Sequence, residues 1–99
     1  MREGHAGVRL MNDYACRWPL WWAEGLEAEP GVLRLSEDLE TRVRALAQHF
    51  DDHFDPVSHW DDDDAKSRHA RLAGEVEAGL VAEIGHDLEV RSDLWELMD

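Results

Sequence analysis

The sequence predicts an α+β fold, and three observations carry that reading. Two long stretches repeat apolar residues at helical spacing, two short ones alternate apolar with polar residues, and glycine or proline punctuates what lies between. The expected architecture is two long antiparallel helices packed on a small two-stranded sheet, built from residues near 8–13 and 87–91. A purely helical domain with irregular ends is the alternative. Ninety-nine residues make a single domain, 1–99. A chain of that size buries roughly 60–65% of its unfolded surface, so a core can form without disulfide staples.

Each element has its own signal. Val8, Leu10 and Asn12 alternate with Arg9, Met11 and Asp13, which reads as one strand over roughly 7–14. Residues 15–35 show no period, and Pro19, Gly25, Pro30 and Gly31 divide them; Pro19 can open a single helical turn through Trp22 and Glu24 that stops at Gly25. Ser36 then caps a long helix. Glu37 and Asp38 favour its positive end, Leu39, Val43, Leu46 and Phe50 form its buried stripe, and Pro56 ends it by Asp55. A second helix starts within Asp61–Asp64, buries Leu72, Val76, Leu80 and Ile84, and stops at Gly85. Gly74 and Gly79 each lower its propensity by about 1 kcal/mol, so they permit a close approach or mark a weaker helix. Leu88 and Val90 alternate with Glu89 and Arg91 as a last strand, before the apolar end of Leu94, Trp95, Leu97 and Met98.

Charge separates the function classes. The net charge of −13 is concentrated: residues 1–35 carry four arginines against five acids, and residues 36–99 carry six bases against eighteen acids. Such a field repels nucleic acid and anionic membrane and draws basic partners, so a basic protein partner is expected, with no direct nucleic-acid or membrane binding. Between Phe50 and Ala65 stand seven aspartates, Asp51, Asp52, Asp55 and Asp61 to Asp64, with no lysine or arginine among them. One or two of the last four are expected to cap the second helix. Full mimicry of a duplex is opposed by Lys66, Arg68 and Arg71, which follow the run at once.

The lone Cys16 fits a reducing cytosol, and Met1-Arg2-Glu3-Gly4-His5 leads into no apolar stretch of a secretory leader, so the expected location is cytoplasmic. Nine arginines against one lysine, with eleven alanines, match the usage of a GC-rich bacterial genome. Net charge opposes self-association, which leaves a monomer or a homodimer built on Gly74 and Gly79 or on exposed tryptophans.

Five tryptophans form the second unusual feature, three of them within Trp18-Pro19-Leu20-Trp21-Trp22. Trp21 and Trp95 suit the edge of a small core, each indole N–H on a carbonyl. Trp18, Trp22 and Trp60 are equally suited to a partner-facing anchor, where tryptophan commonly forms hot spots. The segment Leu10-Met11-Asn12-Asp13-Tyr14, then Pro19-Leu20-Trp21, then Leu35-Ser36-Glu37-Asp38-Leu39, resembles a group of small uncharacterised actinobacterial proteins. The resemblance covers about the first half of the chain and implies no activity.

Metal binding is the concrete chemical alternative. His49 and His53 are four apart on one helix face, and Asp52, His59, Asp61 and His69 come near if the helices pack as expected. His49-Phe50-Asp51-Asp52-His53 resembles the His-x-x-Glu-His arrangement of inverzincin proteases, with aspartate in place of the glutamate. The candidate ligands are His49, His53, Asp52 and His59, for Zn²⁺ or another divalent metal. No calcium loop, phosphate loop or nucleophile–base pair is present, so no catalytic residue is assigned and an enzyme is disfavoured. The favoured reading is an acidic interaction module of the immunity, antitoxin or inhibitor kind, using Asp51, Asp52, Asp55, Trp60, Asp61, Asp62, Asp63, Trp18 and Trp22. A structural domain with no ligand is the third reading.

Overall fold

Residues 6–98 are described in a computed structural model of the chain, and the amino-terminal residues read above for a leader lie outside them. The fold is α+β. Its elements are β1 (Gly7–Leu10), β2 (Leu20–Trp22), α1 (Glu37–His53), β3 (Phe54–Asp55), β4 (His59–Trp60), α2 (Asp63–Ile84), β5 (Glu89–Ser92) and a closing 3₁₀ turn (Trp95–Leu97). β1 is the centre of a three-stranded sheet, antiparallel to β2 with Val8 opposite Trp22, and parallel to β5 with Val8 opposite Val90.

The third strand corrects the two-stranded expectation. Pro19 opens no helical turn; Leu20–Trp22 is extended and pairs with β1, because its buried Leu20 and Trp22 flank the sheet's inner face while Trp21 points the other way. Gly25 reverses the chain at φ 104°, a backbone region that costs other residues strain. The returning segment then bonds the outer edge of β2, Leu26 C=O accepting from Trp22 N–H and Ala28 N–H donating to Leu20 C=O. β1 is also shorter than expected: after Leu10 the chain leaves the ladder, and Ala15 at φ 61° turns it back.

Both helices start where their caps stand. Ser36 Oγ accepts from Leu39 N–H and Asp62 Oδ1 from Ala65 N–H, each satisfying a donor that the first turn leaves free. The helices run antiparallel, Ser36 bonding Glu83 at one end and His49 meeting His69 at the other. Gly79 is the close approach: a methyl there would stand 2.7 Å from Leu39 Cδ1. α1 buries Leu39, Val43, Leu46, Ala47 and Phe50, the stripe its spacing implies. α2 buries Val76, Leu80 and Ile84 of the expected stripe and continues it through Ala65, His69 and Ala73, with Leu72 half-buried against the core.

The core therefore has two parts. Aliphatic side chains of β1, α1 and α2 join Leu20, Trp18, Leu33 and Leu88 in one cluster under the sheet. At the other end an aromatic layer takes over, with Phe50 between Phe54 at 5.2 Å and Trp95 at 5.7 Å. That second layer supports the joint between the helices.

Candidate functional site

The joint is a folded hairpin rather than a loop. β3 and β4 pair Phe54 with Trp60 and Asp55 with His59. Asp55 Oδ1 accepts from the backbone N–H groups of Val57 at 2.8 Å and Ser58 at 3.0 Å, closing the turn with its own side chain. Those bonds, the Ser58 one first, hold the Asp55 carboxyl below the usual carboxylate range. His59 takes a φ of 65° and stacks on Phe54 with ring centroids 5.4 Å apart. The turn thus presents Val57 to solvent at 89% exposure, more than any other large apolar side chain among the described residues.

All seven aspartates of the joint are exposed, and they divide their labour. Asp62 caps α2. Asp64 pairs with Arg68 at 3.1 Å, and Asp52 accepts from Gln48 Nε2 at 2.8 Å. Asp61 Oδ2 lies 2.8 Å from His53 Nδ1, and this hydrogen bond is the main cause of its lowered carboxyl pKa. Asp51 and Asp63 make no side-chain bond to any described residue. The patch is a rigid acidic rim around an apolar knob.

Under the rim lies a polar network. His69 on α2 is fully buried, and its Nε2 donates to Glu96 Oε2 at 2.8 Å, from a 3₁₀ turn 27 residues further on. The same oxygen accepts from Asn12 Nδ2 at 2.7 Å, across 84 residues. With its Nε2 donating, His69 accepts at Nδ1 from His49 Nδ1, 3.1 Å away. Burial foremost, then the neighbouring His69, pushes the His49 pKa down, which keeps that ring neutral. Trp60 Nε1 donates to Glu96 C=O and Trp95 Nε1 to Asn12 C=O, so the backbone around both polar residues is pinned as well. Three buried atoms find no partner among the described residues: Asn12 Oδ1, Glu96 Oε1 and His49 Nε2.

The expected site residues separate into groups. Asp51, Asp52, Asp55, Asp61, Asp62 and Asp63 share the joint with Trp60, which is half-buried against His69. Trp18 and Trp22 do not join them; they are 3% and 7% exposed, part of the aliphatic cluster, and turn no face to a partner. The indoles of Trp18, Trp21, Trp60 and Trp95 each donate to a backbone carbonyl, Trp18 to Ala28 at 2.5 Å and Trp21 to Met11 at 2.9 Å among them. Of the expected metal ligands, the His49 and His53 rings are neighbours with centroids 4.5 Å apart and planes tilted by 39°, whereas Asp52 turns to Gln48 and His59 lies on Phe54. Among the described residues no three His, Cys, Asp or Glu side chains converge on a metal position. Cys16 bonds Trp18 C=O, and burial pushes its thiol pKa up, away from a reactive thiolate.

Asn12 and Glu96 are the participants that sequence reasoning missed. One signal existed for Glu96: it is the single acid inside Leu94-Trp95-Glu96-Leu97-Met98. For Asn12 the signal was its place in phase with Val8 and Leu10, a polar residue on the apolar side of the alternation. Residues 6–92 match the family model described as Serratia CdiI immunity protein-like, a span that takes in both helices and the joint and stops short of Glu96. Comparison with curated proteins found no match.

Proposed function

The chain belongs to the Serratia CdiI immunity protein-like family, and from that premise we propose that it is a cytosolic immunity protein whose acidic joint engages a basic toxin. Immunity acts by binding, which suits a molecule whose surface carries charge and a rigid knob rather than an assembled catalytic constellation. The observation that supports this face is the joint itself. Seven exposed carboxylates share the joint with the exposed Val57, and Asp51 and Asp63 among them are unengaged in the described structure.

Physical chemistry says what such a face does. Carboxylates steer a basic partner to the joint and raise the association rate, in a manner that salt screens. The hairpin is held by Asp55 before any partner arrives, so little ordering entropy is lost on docking. Val57 and the exposed edge of Trp60 then supply apolar contact at the centre of the rim. No helix among the described residues is long and apolar enough to cross a membrane.

The test is binding to a basic toxin domain, followed by titration calorimetry or surface resonance between 50 and 500 mM salt, about a threefold change in Debye length. The expected complex is tight, associates more slowly as salt rises, and weakens when Asp51 and Asp63 are both changed to lysine. A complex indifferent to salt and to both reversals would place the contact elsewhere on the molecule. Absence of any complex would remove the immunity reading.

A further inference from the structure

Two imidazoles near the end of α1 are arranged alike. His53 commits Nδ1 to Asp61 Oδ2 at 2.8 Å, and its Nε2 makes no hydrogen bond to a described residue. His49 commits Nδ1 to His69 at 3.1 Å, itself anchored on Glu96 at 2.8 Å, and its Nε2 is covered yet unpartnered. A neutral imidazole that donates from Nδ1 carries a lone pair at Nε2. Orientation of such a ring by a carboxylate, directly or through a second group, is what stands behind histidines that bind metals. The two rings are also neighbours, four residues apart on one face with centroids 4.5 Å apart and planes 39° apart.

We propose that His49 and His53 form a two-histidine site for a divalent transition-metal ion, bound through Nε2 of both rings, with Asp61 and the His69–Glu96 pair as outer support. Imidazole nitrogens select Zn²⁺, Ni²⁺ or Cu²⁺ over Ca²⁺ and Mg²⁺, which need a shell of oxygens. On the His53 side, carboxylates attract a cation. His53 sits at the negative end of the α1 dipole, with Asp51, Asp52, Asp55 and Asp61 exposed around it. The His53 side chain keeps 28% exposure, which gives an ion access from solvent. Among the described residues no third side chain converges, so water or another group completes the coordination.

The ligand atoms of this site, Nε2 of His49 and His53, are not those of the toxin-binding face, which shares only Asp61 with its outer support, and either proposal can fail alone. Its probe is Cu²⁺ titrated into tag-free, chelator-treated full chain, followed by electron paramagnetic resonance. Expected is one saturable equivalent with hyperfine splitting from two nitrogens, retained in His86→Ala and lost in His53→Ala. His53 is partly exposed at a helix end, and a melting curve without metal verifies that this variant folds. Asp61→Asn should weaken uptake by about 10–100-fold, as removal of an outer partner does. Zn²⁺ as a second probe should raise the melting midpoint of the native protein and leave that of His53→Ala unmoved. Absence of saturable uptake, a one-nitrogen spectrum, or uptake undiminished in His53→Ala would each overturn the proposal.

Discussion

Removing the Glu96 carboxylate tests the buried network most directly. In Glu96→Ala, His69 Nε2 and Asn12 Nδ2 both lose the oxygen they share, at 2.8 and 2.7 Å, in a region with no exposure at His69 and 3% at Glu96. An orphaned buried donor costs about 1–3 kcal/mol, so two amount to about 2–6 kcal/mol. The unpartnered Oε1 offsets part of this, because its own desolvation disappears with it. A net loss of about 2–4 kcal/mol is expected, a large share of the roughly 5–15 kcal/mol that a domain possesses. Glu96→Gln keeps a carbonyl oxygen that can accept both bonds in place of Oε2 but sets an amide NH₂ where Oε1 stood unpartnered, so it should cost less than the alanine variant. Urea unfolding followed by tryptophan fluorescence reads both, since Trp60 and Trp95 flank the network. With a slope of about 1–2 kcal/mol per molar, the alanine midpoint should fall by about 1–4 M. Loss of less than about 1 kcal/mol in the alanine variant, no greater than in the glutamine one, would show that the network contributes nothing.

Three further expectations follow from named contacts. Gly74→Ala meets nothing within 4 Å and should stabilise by about 0.5–1 kcal/mol through helix propensity, while Gly79→Ala meets Leu39 Cδ1 at 2.7 Å and should gain less or lose stability; equal midpoints by thermal melting would contradict the close approach. Asp62→Ala removes the α2 cap and should cost about 0.5–2 kcal/mol in denaturant unfolding, whereas Asp63→Ala, with no bonded partner, should change stability by under about 0.5 kcal/mol. Asp51→Lys combined with Asp63→Lys should leave the melting midpoint nearly unchanged and slow toxin association, measured by stopped flow at low salt, with the difference vanishing at high salt.

How far the chain could be read in advance depended on the range of the interactions involved. α1 and α2 were legible because a helix is closed by bonds four residues apart: Ser36 and Asp62 cap the turns they begin, and Leu39, Val43, Leu46 and Phe50 mark the buried face. The strand at Leu20–Trp22 was read as a helical turn because Pro19 suits either, and the deciding bonds come from residues 8–10 and 26–28. On α2 the period found Val76, Leu80 and Ile84 but did not find the buried His69. The choice between Leu72 and His69 for the interior rests on the partners Glu96 and Asn12, not on hydrophobicity.

For the site the division is similar. Density of aspartate marked the joint, and the role of Asp62 as a cap followed from local rules. The turn that projects Val57 did not, since it needed Asp55 to fold back on Val57 and Ser58 and His59 to accept a left-handed backbone. Two tryptophans held for a partner face, Trp18 and Trp22, were drawn inside by a third strand that composition does not announce.

By itself the sequence determined two capped helices, an α+β composition and a strongly acidic joint between the helices, because these depend on residue type and on spacing within one turn. Only the tertiary structure decided which histidine is buried, what it bonds, and which lone pairs are left without a donor. Those outcomes join Asn12, His49, His69 and Glu96 across as many as 84 residues. Contacts of that range leave no periodic trace in the chain, and they form only once the helices and sheet have packed.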